Sequence, residues 1–436
     1  MPLVKGAIPA PGADPDVRPI AIGETDLVLI TGQLYRQAAP AAAAHLAPQQ
    51  VAVGISGGLS ILIHGARLLL EHKPEFVVVK IDLRNAYNEV SRAVTLERLA
   101  RTPGLSHLAP FFHCTNVAET RLLVGPQRES LFSNQARGDS SEGLHQGDGG
   151  SSTNFCNAIH PEVRQLDALL QPVGGCARFD MDDGYAIGPA SAVFPAVRRF
   201  AEAVRESLGL VVRFDKLACF SFQYDLTHCP HREAAQVPIG SVDIPATSTS
   251  PPTTARGLLI GGIPIGEPAF VAAHVQRQAE GIVNQINDTI ARLQSFPHHA
   301  WSALYYSLAP RIDYILQHLP PSVTSPHARL IDNALVRMAE ACGSAIILTN
   351  NPPDTITSRR LQLPARLGGC GIRSREALAP AAYAASFATS IAHCIPSTAT
   401  TDTAFFPMLS DIIPRDSFDK DGPRFQELLS RAAHES

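Results

Sequence analysis

The feature that most constrains this chain is the stretch Arg178-Phe179-Asp180-Met181-Asp182-Asp183-Gly184-Tyr185-Ala186-Ile187-Gly188, where an Asp-Asp-Gly core lies between apolar flanks. An Asp-Gly pair in that setting predicts a tight β-hairpin, and folding it sets two adjacent carboxylates at the tip. Held that close, like charges disfavour each other's ionised form until one keeps its proton or a cation neutralises the pair. Mg²⁺ suits the second outcome, because it is a hard cation that takes carboxylate oxygens and leaves other positions for water and phosphate. Taken alone, the same residues also describe a solvated acidic turn.

A second acidic site lies upstream, in Phe76-Val77-Val78-Val79-Lys80-Ile81-Asp82-Leu83-Arg84-Asn85-Ala86-Tyr87-Asn88. Its continuous β-branched run predicts a strand buried on both faces. That run ends in an aspartate, and a buried strand does not place a carboxylate there without a partner. Two strands ending in carboxylates, about a hundred residues apart, match the need of a two-metal phosphoryl-transfer site. One metal activates the attacking oxygen and the other stabilises the leaving one.

With these motifs in order, the chain resembles a reverse transcriptase domain of the non-LTR retrotransposon type. Lys80-Ile81-Asp82 with Tyr87 resembles the first palm motif, Glu142-Gly143-Leu144-His145-Gln146-Gly147-Asp148 the glutamine-glycine-aspartate loop, and Asp182-Asp183 the catalytic hairpin. Gly209–Lys216 and the Gly-rich Gly257–Gly266 resemble the next two palm motifs. The resemblance covers roughly residues 1–375 and implies an α+β right-hand polymerase of fingers, palm and thumb, its antiparallel palm sheet packed on helices. Partial fingers would occupy 1–75 and the palm 76–266, with a fingers-like insertion at about 103–145. A helical thumb would fill 267–350, leaving 351–436 as a C-terminal extension with no assigned role.

The implied activity is RNA-directed DNA synthesis, with a primer 3′-hydroxyl attacking the α-phosphate of a deoxynucleotide. By resemblance Asp82, Asp182 and Asp183 hold two Mg²⁺ ions, with Mn²⁺ as the alternative. Tyr87 forms the floor beneath the sugar, Gln146 and Gly147 line the nucleotide pocket, Arg18 assists the triphosphate, and Lys216 lies near it and can protonate leaving pyrophosphate. The implied partners are an RNA or DNA template with its primer, deoxynucleoside triphosphates, and other modules of a parent element such as an endonuclease. Two positions depart from the family: Asp180 stands where an aromatic is usual, and Gly149 where a proline is usual. A third carboxylate at 180 either disturbs metal placement or points away from the pair. The alternative function is therefore a catalytically inactive, domesticated remnant that keeps the fold and binds nucleic acid. Plainer roles exist for the single residues as well: Tyr87 as a core tyrosine, Arg18 and Lys5 as exposed cations on a hairpin, Lys216 as a surface lysine.

Composition sets the outer bounds. A chain of 436 residues with 45% hydrophobic content can bury a sizeable core and should form two to three lobes. Its eight cysteines are scattered, with no Cys-x-x-Cys pair, which points to a reduced intracellular setting, nuclear or cytoplasmic, rather than secretion. His228-Cys229-Pro230-His231 matches no common zinc spacing. No apolar run reaches the length of a membrane span, and the start carries no signal-peptide pattern. The net charge of −4 implies a weak overall grip on nucleic acid, since phosphate neutralisation supplies most non-specific affinity.

The remaining elements follow from local pattern. Two short strands are predicted at Pro2–Lys5 and Arg18–Glu24, and helices at Ala38–Ala47, Leu59–His72, Ser91–Ala100 and Asn154–Leu170. Val193, Val197, Phe200, Val204 and Leu208 recur at spacings of three and four before Gly209, a helix with its C-cap signal. Residues 103–141 read as irregular, Val211–Phe214 and Ala218–Phe222 as strands, 244–256 as a loop, and 257–266 as one Gly-rich strand. Val275, Ala279, Ile282, Ile286, Ile290 and Leu293 mark a long helix, with further helices at 300–318 and 326–346. Beyond them Arg359–Arg373 resembles a Leu-Pro…Gly-Gly-x-Gly segment whose basic residues can meet phosphates.

Overall fold

A computed structural model describes residues 2–4, 17–19, 23–116, 142–238, 256–293, 295–344 and 360–394, and the chain divides in it into two units. The first comprises Met1–Leu62 with Leu70–Asp243, the second Ile63–Leu69 with Ile244–Ser436.

The first unit opens with β1 (Pro2–Val4) and β2 (Val17–Pro19), an antiparallel pair. Helix α1 (Thr25–Leu46) follows, then α2 (Gly58–His72), whose residues 63–69 belong to the second unit. Strand β3 (Phe76–Ile81) leads to the short α3 (Ala86–Glu89), α4 (Arg92–Arg101) and α5 (Ala109–Asn116). Next come α6 (Ser151–Leu170), β4 (Cys176–Asp180), β5 (Asp183–Pro189), α7 (Ala190–Leu208), β6 (Ala218–Phe220) and α8 (Pro230–Ala234). The four strands form one antiparallel sheet in the order β4-β5-β3-β6.

β3 is central because Val77, Val78, Val79 and Ile81 are all fully buried, and β-branched side chains fit a pleated surface covered on both faces. Alternate residues of β3 share a core with Ala177, Phe179 and Ala186 of the neighbouring strands and with Phe155, Ile159, Val193, Val197, Phe200 and Val204 of α6 and α7. The three-and-four spacing of α7 therefore buries the expected face, and Gly209 ends the helix at φ 73 with its N–H on Arg205 O.

In the second unit β7 (Gly257–Ile260) and β8 (Ile263–Gly266) form a hairpin, followed by α9 (Pro268–Leu293), α10 (Pro297–Ala303), α11 (Asp313–His318), α12 (Pro321–Ala339) and α13 (Arg375–Cys394). α9 packs on α12, and α13 on α11 and α12. No helix among the described residues is long and apolar enough to cross a membrane.

Several expectations change. α1 begins at Thr25, ahead of the Ala-rich segment that predicts it. Residues 103–116 are ordered into a 3-10 turn and α5, while 117–141 lie outside the described residues, as do Lys5 and 244–255. Val212 makes only an isolated bridge, to Leu83, because Arg213 folds back onto Asp215 and the chain turns into a 3-10 segment at Phe214–Lys216. Residues 257–266 are two strands, turned at Gly261-Gly262. Helix 300–318 is interrupted by a π-helical turn at Leu304–Leu308 and a 3-10 turn at Ala309–Ile312.

Candidate active site

β3 carries the first carboxylate to the end of the sheet. Its register with β5 runs from Phe76 opposite Pro189 to Ile81 opposite Gly184, so Asp82 leaves β3 where Asp183 enters β5. The half-buried Asp82 is fixed from the other side, where Arg213 N donates to its carbonyl at 2.8 Å.

In the β4–β5 hairpin Asp180 pairs with Asp183, so the two turn residues are Met181 and Asp182. This corrects the expectation that both members of the aspartate pair occupy the tip: only Asp182 does, and Asp183 begins a strand. The cause lies in Gly184, which serves packing rather than the turn. A Cβ there would lie 2.4 Å from Cε1 of Phe179, its partner across the hairpin.

The left-handed backbone that the turn requires falls instead on Met181, at φ 59, an uncommon conformation for a residue with a side chain. The amide of Gln50 holds it there: Nε2 donates to Met181 O at 2.8 Å, and Met181 N donates to Oε1 at 3.1 Å. Gln50 is itself fully buried. Its segment adds to the sheet in parallel, with Phe179 N donating to Gln49 O and Val51 N to Phe179 O. Gln49 donates to the buried carboxylate of Asp167, which also accepts from Ala177 N, Arg178 Nη1 and Gln171 Nε2. That set satisfies a charge that would otherwise be costly to bury and pins β4 against α6. Neither glutamine nor Asp167 carries a periodic signal; the polar pair Gln49-Gln50 just before Val51-Ala52-Val53 is the one local oddity.

Asp180 and Asp183, directly opposite on antiparallel strands, share a face of the sheet. Burial, and then the charge of Asp183, raise the Asp180 carboxyl above the usual carboxylate range. Asp180 thus stays electrostatically coupled to Asp183. Lys80 is the nearby counter-charge, with Nζ 4.0 Å from Asp183 Oδ1 and 6.0 Å from the Tyr185 ring centre. Asp183 is 46% exposed, so the pair is worth little in stability.

Tyr87, in α3, lies beside the same acids. Its ring stacks on Phe155 with centres 4.8 Å apart, and its hydroxyl donates to Ser152 Oγ at 3.4 Å. Burial raises its phenol, and the charges of Asp182 and Asp180 add to that. Ser152 Oγ in turn lies 3.7 Å from Met181 Sδ. Burial likewise pushes up the Cys156 thiol, with Asp180 and Asp182 contributing. α6 therefore runs along the hairpin and presents Ser152, Phe155 and Cys156 to it.

The other expected residues lie further out. Gln146 is half-buried and Gly147 exposed at φ 107, on a loop closed by Asp148 N and Ser151 Oγ donating to His145 O. At the end of that loop Gly150 is needed because a Cβ would lie 2.6 Å from the Tyr35 ring, so its close approach serves the core rather than a ligand. Lys216 is exposed, three residues beyond the Arg213 amide that holds Asp82. Arg18 stands opposite Leu3 in β2.

Among the described residues no three His, Cys, Asp or Glu side chains are gathered into a metal-holding group. The donor chemistry at the sheet end nevertheless suits a hard divalent cation. Asp82, Asp182 and Asp183 offer carboxylate oxygens alone, and Asp180 is already held high in pKa partly by Asp183.

Comparison with family models and with curated proteins gives no match. Among solved structures, telomerase from Candida albicans in complex with the TWJ fragment of telomeric RNA is similar over 89% of this chain and 57% of that one, at 11% identity and a TM-score of 0.38. Apo telomerase from Candida tropicalis is similar over 86% of this chain and 60% of that one, at 11% identity and a TM-score of 0.40. This chain thus spans less than two thirds of either relative, and at these TM-scores the likeness decides neither fold nor activity.

Proposed function

We propose that the carboxylate end of the β3–β4–β5 sheet is a nucleotidyl-transfer site, and that the chain performs template-directed DNA synthesis as a reverse transcriptase of non-LTR, mobile-element origin. The observation that carries this reading is the strand register. Ile81 opposite Gly184 and Asp180 opposite Asp183 bring Asp82, Asp182 and Asp183 to one end of one sheet. In this reading those three hold two Mg²⁺ or Mn²⁺ ions, which would activate the primer hydroxyl and neutralise the leaving oxygen.

The chain's own residues do the rest. Gln50 fixes the turn, so that Asp182 is presented without reorganisation. The Tyr87 ring, braced by Phe155, supports the sugar of the incoming nucleotide and leaves no room for a 2′-hydroxyl. Gln146 and Gly147 border the nucleotide, and Arg18 and Lys216 serve the triphosphate. The second reading, an inactive remnant that binds nucleic acid, is favoured by Asp180, an extra negative charge coupled to Asp183.

Primer extension on poly(rA)/oligo(dT) with Mg²⁺ or Mn²⁺ separates the two. Extension by the wild-type chain is expected. Asp182→Asn, which keeps shape and removes charge, should slow it by on the order of a thousandfold, or about 4 kcal/mol of transition-state stabilisation. A wild-type chain that binds template–primer without extending it favours the remnant. An active Asp182→Asn chain refutes the site.

A further inference from the structure

The second unit carries a surface that the carboxylate site does not use. Between α10 and α11 the chain passes through the π-helical turn Leu304–Leu308, a rare geometry that tends to occur at functional positions. This turn buries Leu304 and Leu308 and turns two consecutive aromatics outward. Tyr306 is 78% exposed and Tyr305 40%, with ring centres 4.9 Å apart and planes at 74°.

Beneath Tyr305 lies the Gly-Gly-Cys-Gly segment. Gly371 is at φ 77, a conformation that favours glycine, and a Cβ there would lie 3.1 Å from Tyr305 Cε2, so the ring rests close on this backbone. That backbone is tied down by Cys370 N donating to Arg360 O, Gly371 N to Leu363 O, and Ile372 N to Leu361 O.

The charges around this loop are unequal. Among the described residues, Asp313, Asp332 and Glu376 are already engaged. Asp313 accepts from Arg375 at 3.1 Å, Asp332 from Ser374 Oγ and the amides of Arg375 and Glu376, and Glu376 from Arg329 at 2.9 Å. Arg360, Arg366 and Arg373 are exposed and form no ion pair among the described residues, although the Arg373 charge reaches Asp313. Exposed π faces resting on a loop that also carries arginines without an ion pair among the described residues match unstacked bases joined by phosphates. A duplex hides its base faces and would leave the tyrosines unused.

We propose that Tyr305 and Tyr306, with Arg360, Arg366 and Arg373, form a stacking platform for single-stranded nucleic acid. It uses none of the sheet carboxylates and does not require that the chain polymerise. The test is fluorescence anisotropy of the full-length chain with labelled oligo(rU), oligo(dT) and a blunt duplex of equal length. Both single strands should bind more tightly than the duplex. Tyr306→Ala should weaken single-strand binding about tenfold, whereas Tyr306→Phe keeps the π face and should retain it, which separates stacking from damage to the fold. Arg366→Ala with Arg373→Ala should flatten the dependence of log K on log salt by about 0.7 per arginine removed. Loss of primer extension in Asp182→Asn bears on the polymerase reading and loss of single-strand binding in Tyr306→Ala on the platform, so failure of the one and failure of the other give different results. Wild-type binding by Tyr306→Ala, or equal affinity for duplex and single strand, overturns the proposal. So does self-association of the wild-type chain that Tyr306→Ala abolishes, since the tyrosines would then form a protein interface.

Discussion

Gln50→Leu tests whether the Met181-Asp182 turn is held from outside or holds itself. Leucine is close in bulk and can stay buried, though it branches one carbon nearer the backbone, and it removes both hydrogen bonds to Met181, at 2.8 and 3.1 Å. A buried backbone group left without a partner costs about 1–3 kcal/mol. Met181 is half-buried, so each of its two groups belongs at the low end, about 1–1.5 kcal/mol. Added packing by the apolar side chain offsets part of this, on the order of 1 kcal/mol. The net loss is about 1–2 kcal/mol, confined to the hairpin tip. Once released, Met181 can also leave its left-handed conformation, which costs about 1–2 kcal/mol to maintain, and Asp182 moves with it.

The assay is amide hydrogen exchange by mass spectrometry on peptides covering 179–184, read beside primer extension. Local opening should become about tenfold easier in Gln50→Leu, with the core of β3 unaffected, and extension should slow while template–primer affinity is kept. Gln50→Glu adds a pH arm. An ionised glutamate can still accept from Met181 N–H but faces Met181 O with no donor; once protonated it can donate again. Its exchange should therefore approach wild type as pH falls through the carboxylate range. Unchanged exchange at 179–184 in Gln50→Leu would refute the reasoning, because the turn would then be self-supporting.

Two further perturbations concern side chains at the same sheet end. The Asp180 pKa is raised in the fold, first by burial and then by Asp183, so its ionisation costs stability that is absent below the ordinary carboxylate range and complete above its raised folded value. Asp180→Asn should thus raise the urea midpoint at pH 7 but not at pH 3, and slow extension far less than Asp182→Asn; an equal gain at both pH values refutes the coupling. Tyr87→Ala should raise ribonucleotide use relative to deoxynucleotide use about tenfold, roughly 1.4 kcal/mol, measured by competing ATP with dATP on one template. If the Phe155 stack is the tyrosine's whole role, the variant melts earlier and its sugar ratio does not change.

How far the sequence reveals this arrangement depends on whether a residue's role is set by its neighbours along the chain. β3 is legible because four fully buried β-branched residues in six positions leave a strand little alternative, and α7 because its apolar spacing repeats through about four turns before Gly209. The failures share a cause. Asp183-Gly184 has the composition of a turn, yet its glycine answers to Phe179 across the hairpin. Gly261-Gly262 is a turn that the apolar residues on either side disguise as a strand interior. Val211–Phe214 has strand composition, but the Arg213–Asp215 ion pair closes it locally. In each case a tertiary or cross-strand contact selects among conformations that local pattern leaves open. The same holds at the candidate site. The pleat and register place Asp82 and Asp183, and both can be traced from the strands that carry them. The position of Asp182 rests on the conformation of Met181, and that is settled by a glutamine 131 residues away. A side-chain substitution at Gln50 therefore reaches Asp182 through its two hydrogen bonds to the turn, which opens the hairpin tip to change by a residue that is not one of the carboxylates.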